Sequence, residues 1–377
     1  MKIAIVHDWF TVNAGAEKCI ISFLNVWKNA DVYSLIDFLN DNDRKVVLKN
    51  KRSSTTFLQY FPNVKSYYRK LLPLFSYAIE KINVSEYDLI ISSSHCVAKG
   101  VKTRSNQLHI CYMHTPVRYA WDLRNQYLRD NNLNVGLKSV IVNYFLDKLK
   151  SWDLKTANRP DHYIANSYYI SNRIKRVYNI TSTVIYPPVN IDKFTLNIKK
   201  DDFYLSASRL VSYKKIDLIV DAFANSSKKL IVIGDGPEMN KIKSKVTPNI
   251  TIMGYQDDDV LVDYMKRAKA FIFAAKEDFG IIPVEAQACG TPVICLGKGG
   301  TKETVIHKKT GVHFQNQTKK DIINATNFFE KNIDYFNPLH IRQHALKFST
   351  KRFEKKINKF VNDKYEDFIK NIENPNS

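Results

Sequence analysis

The chain has 377 residues, enough to bury two ordinary cores, and its 44% hydrophobic content suits a globular protein. No apolar run approaches the roughly 18 residues of a membrane span, which predicts a protein acting in the cytoplasm. A formal charge of +20 points to anionic partners, and five scattered cysteines (Cys19, Cys96, Cys111, Cys289, Cys295) embedded in apolar runs argue against a disulfide framework or a metal cluster.

Lys2 to Val6 predicts a strand and not a secretion signal, because His7 and Asp8 follow it at once. A helix is predicted from about Gly15 to Trp27, then strands at Asp88 to Ser93, Leu108 to Met113, His162 to Ala165 and Thr183 to Tyr186. Tyr186-Pro187-Pro188 breaks regular structure and opens a connection running to about Asp201. Beyond it, strands at Phe203 to Ala207, Leu230 to Gly234, Ile250 to Met253, Ala270 to Ala274 and Pro292 to Cys295 alternate with four helices. These lie near Ile216 to Ala224, Pro237 to Val246, Asp257 to Arg267 and Ile282 to Cys289. Such alternation requires parallel sheets covered by helices on both faces. A last helix, from about Thr350 to Ile372, carries Phe353, Ile357, Phe360 and Val361, and a polar end follows over Asn371 to Ser377. The predicted organisation is a first domain over 1–194, a second over 195–350 and a terminal helix over 351–377.

Charge is uneven along the chain. Residues 51–200 hold 23 Lys/Arg against 9 Asp/Glu, whereas residues 201–377 hold 28 against 22. Nucleic acid, an anionic membrane or a phosphorylated substrate would each suit such an excess, but no nucleic-acid-binding module is recognisable. The stretch Phe57 to Ile82 mixes seven aromatic residues with Lys65, Arg69, Lys70 and Lys81, a composition that suits a lipid headgroup layer. Packing on its own domain is the competing reading.

The densest chemical signal is KEDFGIIPVEAQACGTPVIC, where Glu277 and Glu285 flank a Phe-Gly-Ile turn and the start of a helix. Carboxylates on either side of a helix N-terminus can accept from hydroxyls on two parts of one elongated ligand, while free backbone N–H groups face its anionic middle. A nucleotide sugar has that shape. This run resembles the E-x7-E signature of retaining glycosyltransferases of family four, which have the GT-B fold of two facing Rossmann-like domains and a C-terminal helix crossing back to the first. SRLVSYKKIDLIVDAF, IGDGPE and HDWFTVNAGAEK are similar to further segments of that family, so nearly the whole chain is covered. DLIISSSHCVAKGV, CYMHTPVRYAWDL, DHYIANS and VIYPPVNIDKF look most like bacterial mannosyltransferases that build surface polysaccharides such as O-antigen in lipopolysaccharide.

The resemblance implies roles. Arg209 and Lys214, on the loop after a strand, would neutralise the departing diphosphate, with Lys215 as the neighbour most easily confused with Lys214. Each such contact near 4 Å is worth about 4 kcal/mol at an effective dielectric near 20, before desolvation. Glu277 would hold hydroxyls of the transferred sugar and Glu285 the ribose, with backbone N–H groups of Phe279, Gly280 and Ile281 around the sugar and phosphate, and the base near Gly254 and Tyr255. His114, directly after a strand, would reach the sugar or a developing charge. Asp8, Trp9 and Arg118 fall on the acceptor side. Gly15 would bring backbone N–H groups to a phosphate, although Ala14 stands where the family usually has a first Gly, which would narrow acceptor access.

Asp257-Asp258-Asp259 looks like a metal motif, but at a predicted helix start it reads as a solvated cap, and no metal or other cofactor is expected. The reaction so implied moves a hexose, with GDP-mannose favoured and a UDP-sugar as the alternative donor, to a glycan or lipid-diphosphate-linked acceptor. A nucleotide-sugar epimerase or dinucleotide oxidoreductase would also show Rossmann-like halves, yet no G-x-G-x-x-G follows the first strand. A non-catalytic glycan- or membrane-binding module would not require Arg209, Lys214, Glu277 and Glu285 together.

Overall fold

A computed structural model describes residues 1–373 except 123, 125–127, 130–132 and 134; the polar end expected from 371 lies outside the described residues from 374 onward. The chain divides into two compact units, Met1–Pro188 with Phe353–Ser377, and Val189–Arg352. The divisions thus fall after Pro188 and Arg352, where the sequence pattern suggested 194 and 350.

In the first unit β1 (Ile3–His7), β2 (Asp31–Ser34), β3 (Ser54–Thr55), β4 (Leu89–Ser94), β5 (Leu108–Met113), β6 (His162–Ala165) and β7 (Thr183–Val184) form one sheet. Their order is β3-β2-β1-β4-β5-β6-β7, parallel throughout. Side chains alternate across it as a pleated strand demands. Ile3 and Ile5 face a core built with the helix Gly15–Val26 and with Phe353, Ile357 and Val361, so the terminal helix Thr350–Glu373 packs on this sheet from Phe353 onward. Ala4 and Val6 face the opposite core, which takes in Leu58, Val64, Tyr68, Phe75, Ala78 and Ile79. The Phe57 to Ile82 stretch is therefore a series of short helical turns anchored in its own unit, yet Tyr60, Leu74 and Tyr77 remain exposed beside Lys65, Arg69, Lys70 and Lys81.

The second unit repeats the plan with β8 (Tyr204–Ala207), β9 (Leu230–Ile233), β10 (Ile250–Gly254), β11 (Ala270–Phe273), β12 (Val293–Leu296) and β13 (Gly311–Phe314) in the order β10-β9-β8-β11-β12-β13. All pairs are parallel. The helices Ile216–Phe223 and Lys319–Lys331 bury Ile219, Val220, Phe223, Ile322 and Phe329 against one face, each such side chain contributing roughly 1.5–3 kcal/mol. In both units strand order reverses beside the first strand, between β1 and β4 and between β8 and β11. In a doubly wound sheet, ligands bind outside the carboxyl ends of the strands at that reversal.

Candidate active site

At the reversal in the second unit, the loop after β8 carries Arg209 and Lys214 and the loop after β11 carries Glu277. Lys214 closes the 3-10 turn Ser212–Lys214 and donates from Nζ to Glu277 Oε1 at 2.5 Å. Both side chains are largely buried, at 16% and 18% exposure, so the pair is only partly screened by water. Lys214 Nζ also lies 5.6 Å from the centroid of the Phe273 ring, at the end of β11. Lys215, its neighbour, instead takes a left-handed conformation (φ 58°) at the start of the next helix. Arg209 stands exposed on the same loop. That loop is held by the turn after β9: Leu210 N–H donates to Asp235 O at 2.9 Å, and a Cβ on Gly234 would lie 1.9 Å from Ser208 O, so only glycine lets the two loops meet.

Glu285 lies on the helix Ile281–Ala288 at 7% exposure, and Phe279 is buried with its ring 5.6 Å from that of Phe348. Gly280 is the residue before this helix, and Gly290 follows its end with φ +73°. Gly254 ends β10, and Tyr255 beyond it is 78% exposed. Of the four charged residues singled out on this unit, Lys214 and Glu277 are in direct contact. Arg209 lies on the same loop as Lys214, and Glu285 on the helix that follows the Glu277 loop.

Sequence reasoning missed what supports Glu277. The loop after β12 lies directly behind it: Gly300 N–H donates to Glu277 O at 2.8 Å, and a Cβ on Gly299 or Gly300 would meet Glu277 O at 2.4 Å or Phe279 Cα at 2.3 Å. The Gly-Lys-Gly-Gly run at 297–300 was the available signal. An open depression of about 570 Å³ elsewhere on this unit is lined by Lys309, Tyr335, His340 and His344 and involves neither loop.

In the first unit the carboxyl ends of β1, β4 and β5 gather His7, Asp8, His95 and His114. The carboxylate of Asp8, expected on the acceptor side, is turned to the backbone of the 95–98 turn. It is wholly buried, with Oδ2 accepting from the N–H of His95 and Cys96 at 2.6 and 2.9 Å, and Oδ1 from those of Val97 and Ala98 at 2.6 and 2.8 Å. His95 Nδ1 lies 2.9 Å from Oδ2, an ion-pair distance although the ring N–H is not aligned as a full hydrogen bond. Burial pushes the Asp8 carboxyl up, but His95, His7 and the backbone donors outweigh it and hold the group well below the usual carboxylate range. Trp9 is partly buried among Tyr68, Phe75 and His95.

His114 follows β5 as expected, its Nε2 2.8 Å from Ser93 Oγ. Burial first, then the neighbouring His95 and His7, push its pKa well below that of a free imidazole, so it is neutral at physiological pH. Arg118 lies on the turn beyond and is partly buried. Gly15 opens its helix, and Ala14 N–H donates to Glu17 Oε2 at 3.1 Å, so the departure from the family pattern falls at the exposed cap. Asp257 caps the helix Asp258–Arg267 by accepting from Val260 N–H at 3.0 Å, and Asp258 pairs with Lys193 at 2.5 Å.

Residues 189–337 match the family described as glycosyl transferases group 1. The chain is 28% identical over 202 residues to the uncharacterized glycosyltransferase MJ1178 of Methanocaldococcus jannaschii, covering 52% of this chain and 55% of that protein. It is 31% identical over 123 residues to the GDP-mannose-dependent alpha-(1-6)-phosphatidylinositol monomannoside mannosyltransferase of Mycobacterium tuberculosis, covering 28% of this chain and 32% of that one. It therefore spans little more than half of one curated relative and about a third of the other. Among solved structures, Anabaena Alr3699/HepE in complex with UDP superposes with a TM-score of 0.72 over 96% of this chain and 100% of that chain, at 17% identity. The chain has the GT-B fold. The likeness to the glycosyl transferases group 1 family covers residues 189–337, less than half of the chain.

Proposed function

We propose that the protein is a retaining hexosyltransferase, moving a sugar from a nucleoside diphosphate to a hydroxyl of a glycan or lipid-linked acceptor. The observation that carries this is the Lys214–Glu277 pair at the strand-order reversal of the second unit. A departing diphosphate gains negative charge as the anomeric C–O bond breaks, and a cation already fixed in a partly dry setting stabilises that charge without reorganising. Glu277 offers only acceptors, which suits sugar hydroxyls. Arg209, exposed on the same loop, supplies a second cation able to grip two phosphate oxygens. In a front-face reaction the departing phosphate itself takes the acceptor's proton, so no protein nucleophile is required, and neither is a metal.

GDP-mannose is the favoured donor, on the GDP-mannose-dependent relative from Mycobacterium tuberculosis. A UDP-sugar is the second reading, favoured by the fold neighbour that holds UDP. Surface polysaccharide synthesis in the cytoplasm, at the inner face of the membrane, is the setting this reading implies. Docking there through exposed Tyr60, Leu74 and Tyr77 and the surrounding lysines fits the basic first unit, and among the described residues no helix is long and apolar enough to cross a membrane. Incubating the purified protein with a panel of nucleotide sugars and following nucleoside diphosphate release tests the proposal. Release from one GDP- or UDP-hexose is expected, and release from none rejects it.

A further inference from the structure

At the carboxyl ends of β1, β4 and β5, the side chains of His7, Ser93 and His114 are joined in a row. His7 Nδ1 lies 3.1 Å from both the carbonyl oxygen and the hydroxyl oxygen of Ser93, and His114 Nε2 lies 2.8 Å from that same hydroxyl. His7 and Ser93 are wholly buried, so neither turns to solvent for a partner. The backbone of His114 is pinned as well: its N–H donates to Ser94 O at 2.8 Å, and Asn166 Nδ2 donates to its carbonyl at 3.0 Å.

The hydrogens along this row can be placed one at a time. A carbonyl oxygen only accepts, so the contact with Ser93 O puts a hydrogen on His7 Nδ1, whatever Nε2 carries on the side facing Glu17, 3.8 Å away. The same N–H is shared with Ser93 Oγ, which therefore receives it as an acceptor. Ser93 then has its own hydroxyl hydrogen to place, and among the described residues the remaining partner of Oγ is His114 Nε2. Were Nε2 protonated, Oγ would accept twice and its buried hydrogen would go unsatisfied, a cost that shifts a tautomer equilibrium by about tenfold or more. Burial, with His95 and His7, keeps His114 neutral, so its single ring proton sits on Nδ1. That nitrogen is not sealed from solvent and has no partner among the described residues. What His114 presents outward is a hydrogen-bond donor without a charge.

We infer that Ser93, itself oriented by His7, is a positioning residue that fixes His114 in its Nδ1–H tautomer, so that His114 donates a hydrogen bond to an oxygen of the bound nucleotide sugar and does not serve as a base. A protonated Nδ1 has no lone pair to offer a proton, and the lone pair of Nε2 is taken by Ser93. This agrees with a front-face reaction, in which the departing phosphate and not a side chain receives the acceptor's proton. The identity of the ligand rests on the transferase reading; the tautomer does not.

The test uses the full chain with its histidines labelled with nitrogen-15, the His114 signals being those that vanish in His114→Gln. Long-range proton–nitrogen correlation spectra at neutral pH are expected to show a bare Nε2 and a protonated Nδ1 for His114. A protonated Nε2 overturns the inference, and this reading comes from the unsubstituted protein, so it holds even where a variant fails to fold. In Ser93→Ala the Nε2–H form should rise about tenfold, and Ser93→Thr, which keeps the hydroxyl, should restore the single tautomer. An unaltered tautomer in folded Ser93→Ala overturns the role of Ser93. With a nucleotide sugar that the protein turns over, Ser93→Ala should lower kcat by about tenfold with KM within about twofold, and Ser93→Thr should recover it; an undiminished kcat in Ser93→Ala counts against the donor role. The Nδ1–H tautomer in a protein that releases no nucleoside diphosphate would reject the transferase reading and leave the tautomer standing, whereas the Nε2–H tautomer in an active transferase does the reverse.

Discussion

Lys214 and Glu277, 63 positions apart in sequence, are joined by a 2.5 Å ion pair between the loops that follow two adjacent strands, β8 and β11. The contact gives Lys214 two prospective partners, the carboxylate at rest and a phosphate when a donor is bound. Removing either member therefore has opposite consequences for binding. Glu277→Gln releases Lys214 and is expected to leave nucleoside diphosphate affinity equal or higher while lowering kcat by about 10²–10³-fold. Calorimetric titration paired with turnover decides it; parallel loss of affinity and kcat would mean that Glu277 holds the diphosphate side and not the sugar.

Gly299 and Gly300 lie against the backbone of Glu277 and Phe279 too closely for any side chain. Gly300→Ala must push that loop away, with strain on the order of 1–3 kcal/mol. A drop in kcat with donor together with a lower melting temperature is the expected outcome. Full activity in Gly300→Ala would show that the Glu277 loop tolerates displacement.

His109 sets an acid limit on stability. It is fully buried, Nε2 2.8 Å from Ser92 Oγ, and burial, followed by the charges of Lys99 and Arg159, holds its pKa down to about 3. The unfolded chain takes up this proton near pH 6.5 and the folded chain does not, so stability is complete above that pH. It should fall by up to about 1.4 kcal/mol per pH unit as pH drops from 6.5 toward 3. Denaturant unfolding at pH 8, 6 and 5 measures the slope. His109→Gln should flatten it, whatever its effect at pH 8.

Asp257 is a helix cap and Asp258 an ion-pair partner of Lys193. Asp257→Ala should cost about 1 kcal/mol of stability. Turnover should survive both this substitution and excess EDTA, whereas abolition by EDTA would restore the metal reading of the aspartate run.

Much of this was legible in the sequence because the central strands are continuous apolar runs, and β5 and β6 match their expected bounds. Most other strand ends shifted by one residue and that of β7 by two; pairing in β1 and β4 continues through His7 and Ser94 after the apolar run stops. β2, β3 and β13 went unseen: Asp31–Ser34 and Ser54–Thr55 are short and polar at their starts, and Gly311–Phe314 follows a lysine-rich turn. The positions of Lys214, Glu277 and His114 beyond strand ends were legible because each follows a strand whose apolar signal is clear. The surroundings of Asp8 were not legible for the opposite reason. Its partners lie 87 to 90 positions away and are backbone groups, which no side-chain pattern reveals.

If the cations after β8 serve the diphosphate and not the nucleoside, losing both should weaken only the charged ligand. Isothermal titration of the Arg209→Ala, Lys214→Ala double variant with a nucleoside diphosphate and with the matching nucleoside tests it most directly. Diphosphate affinity is expected to fall by about 100-fold or more while nucleoside affinity changes by less than about twofold. Equal losses for the two ligands, or no loss for either, would contradict it.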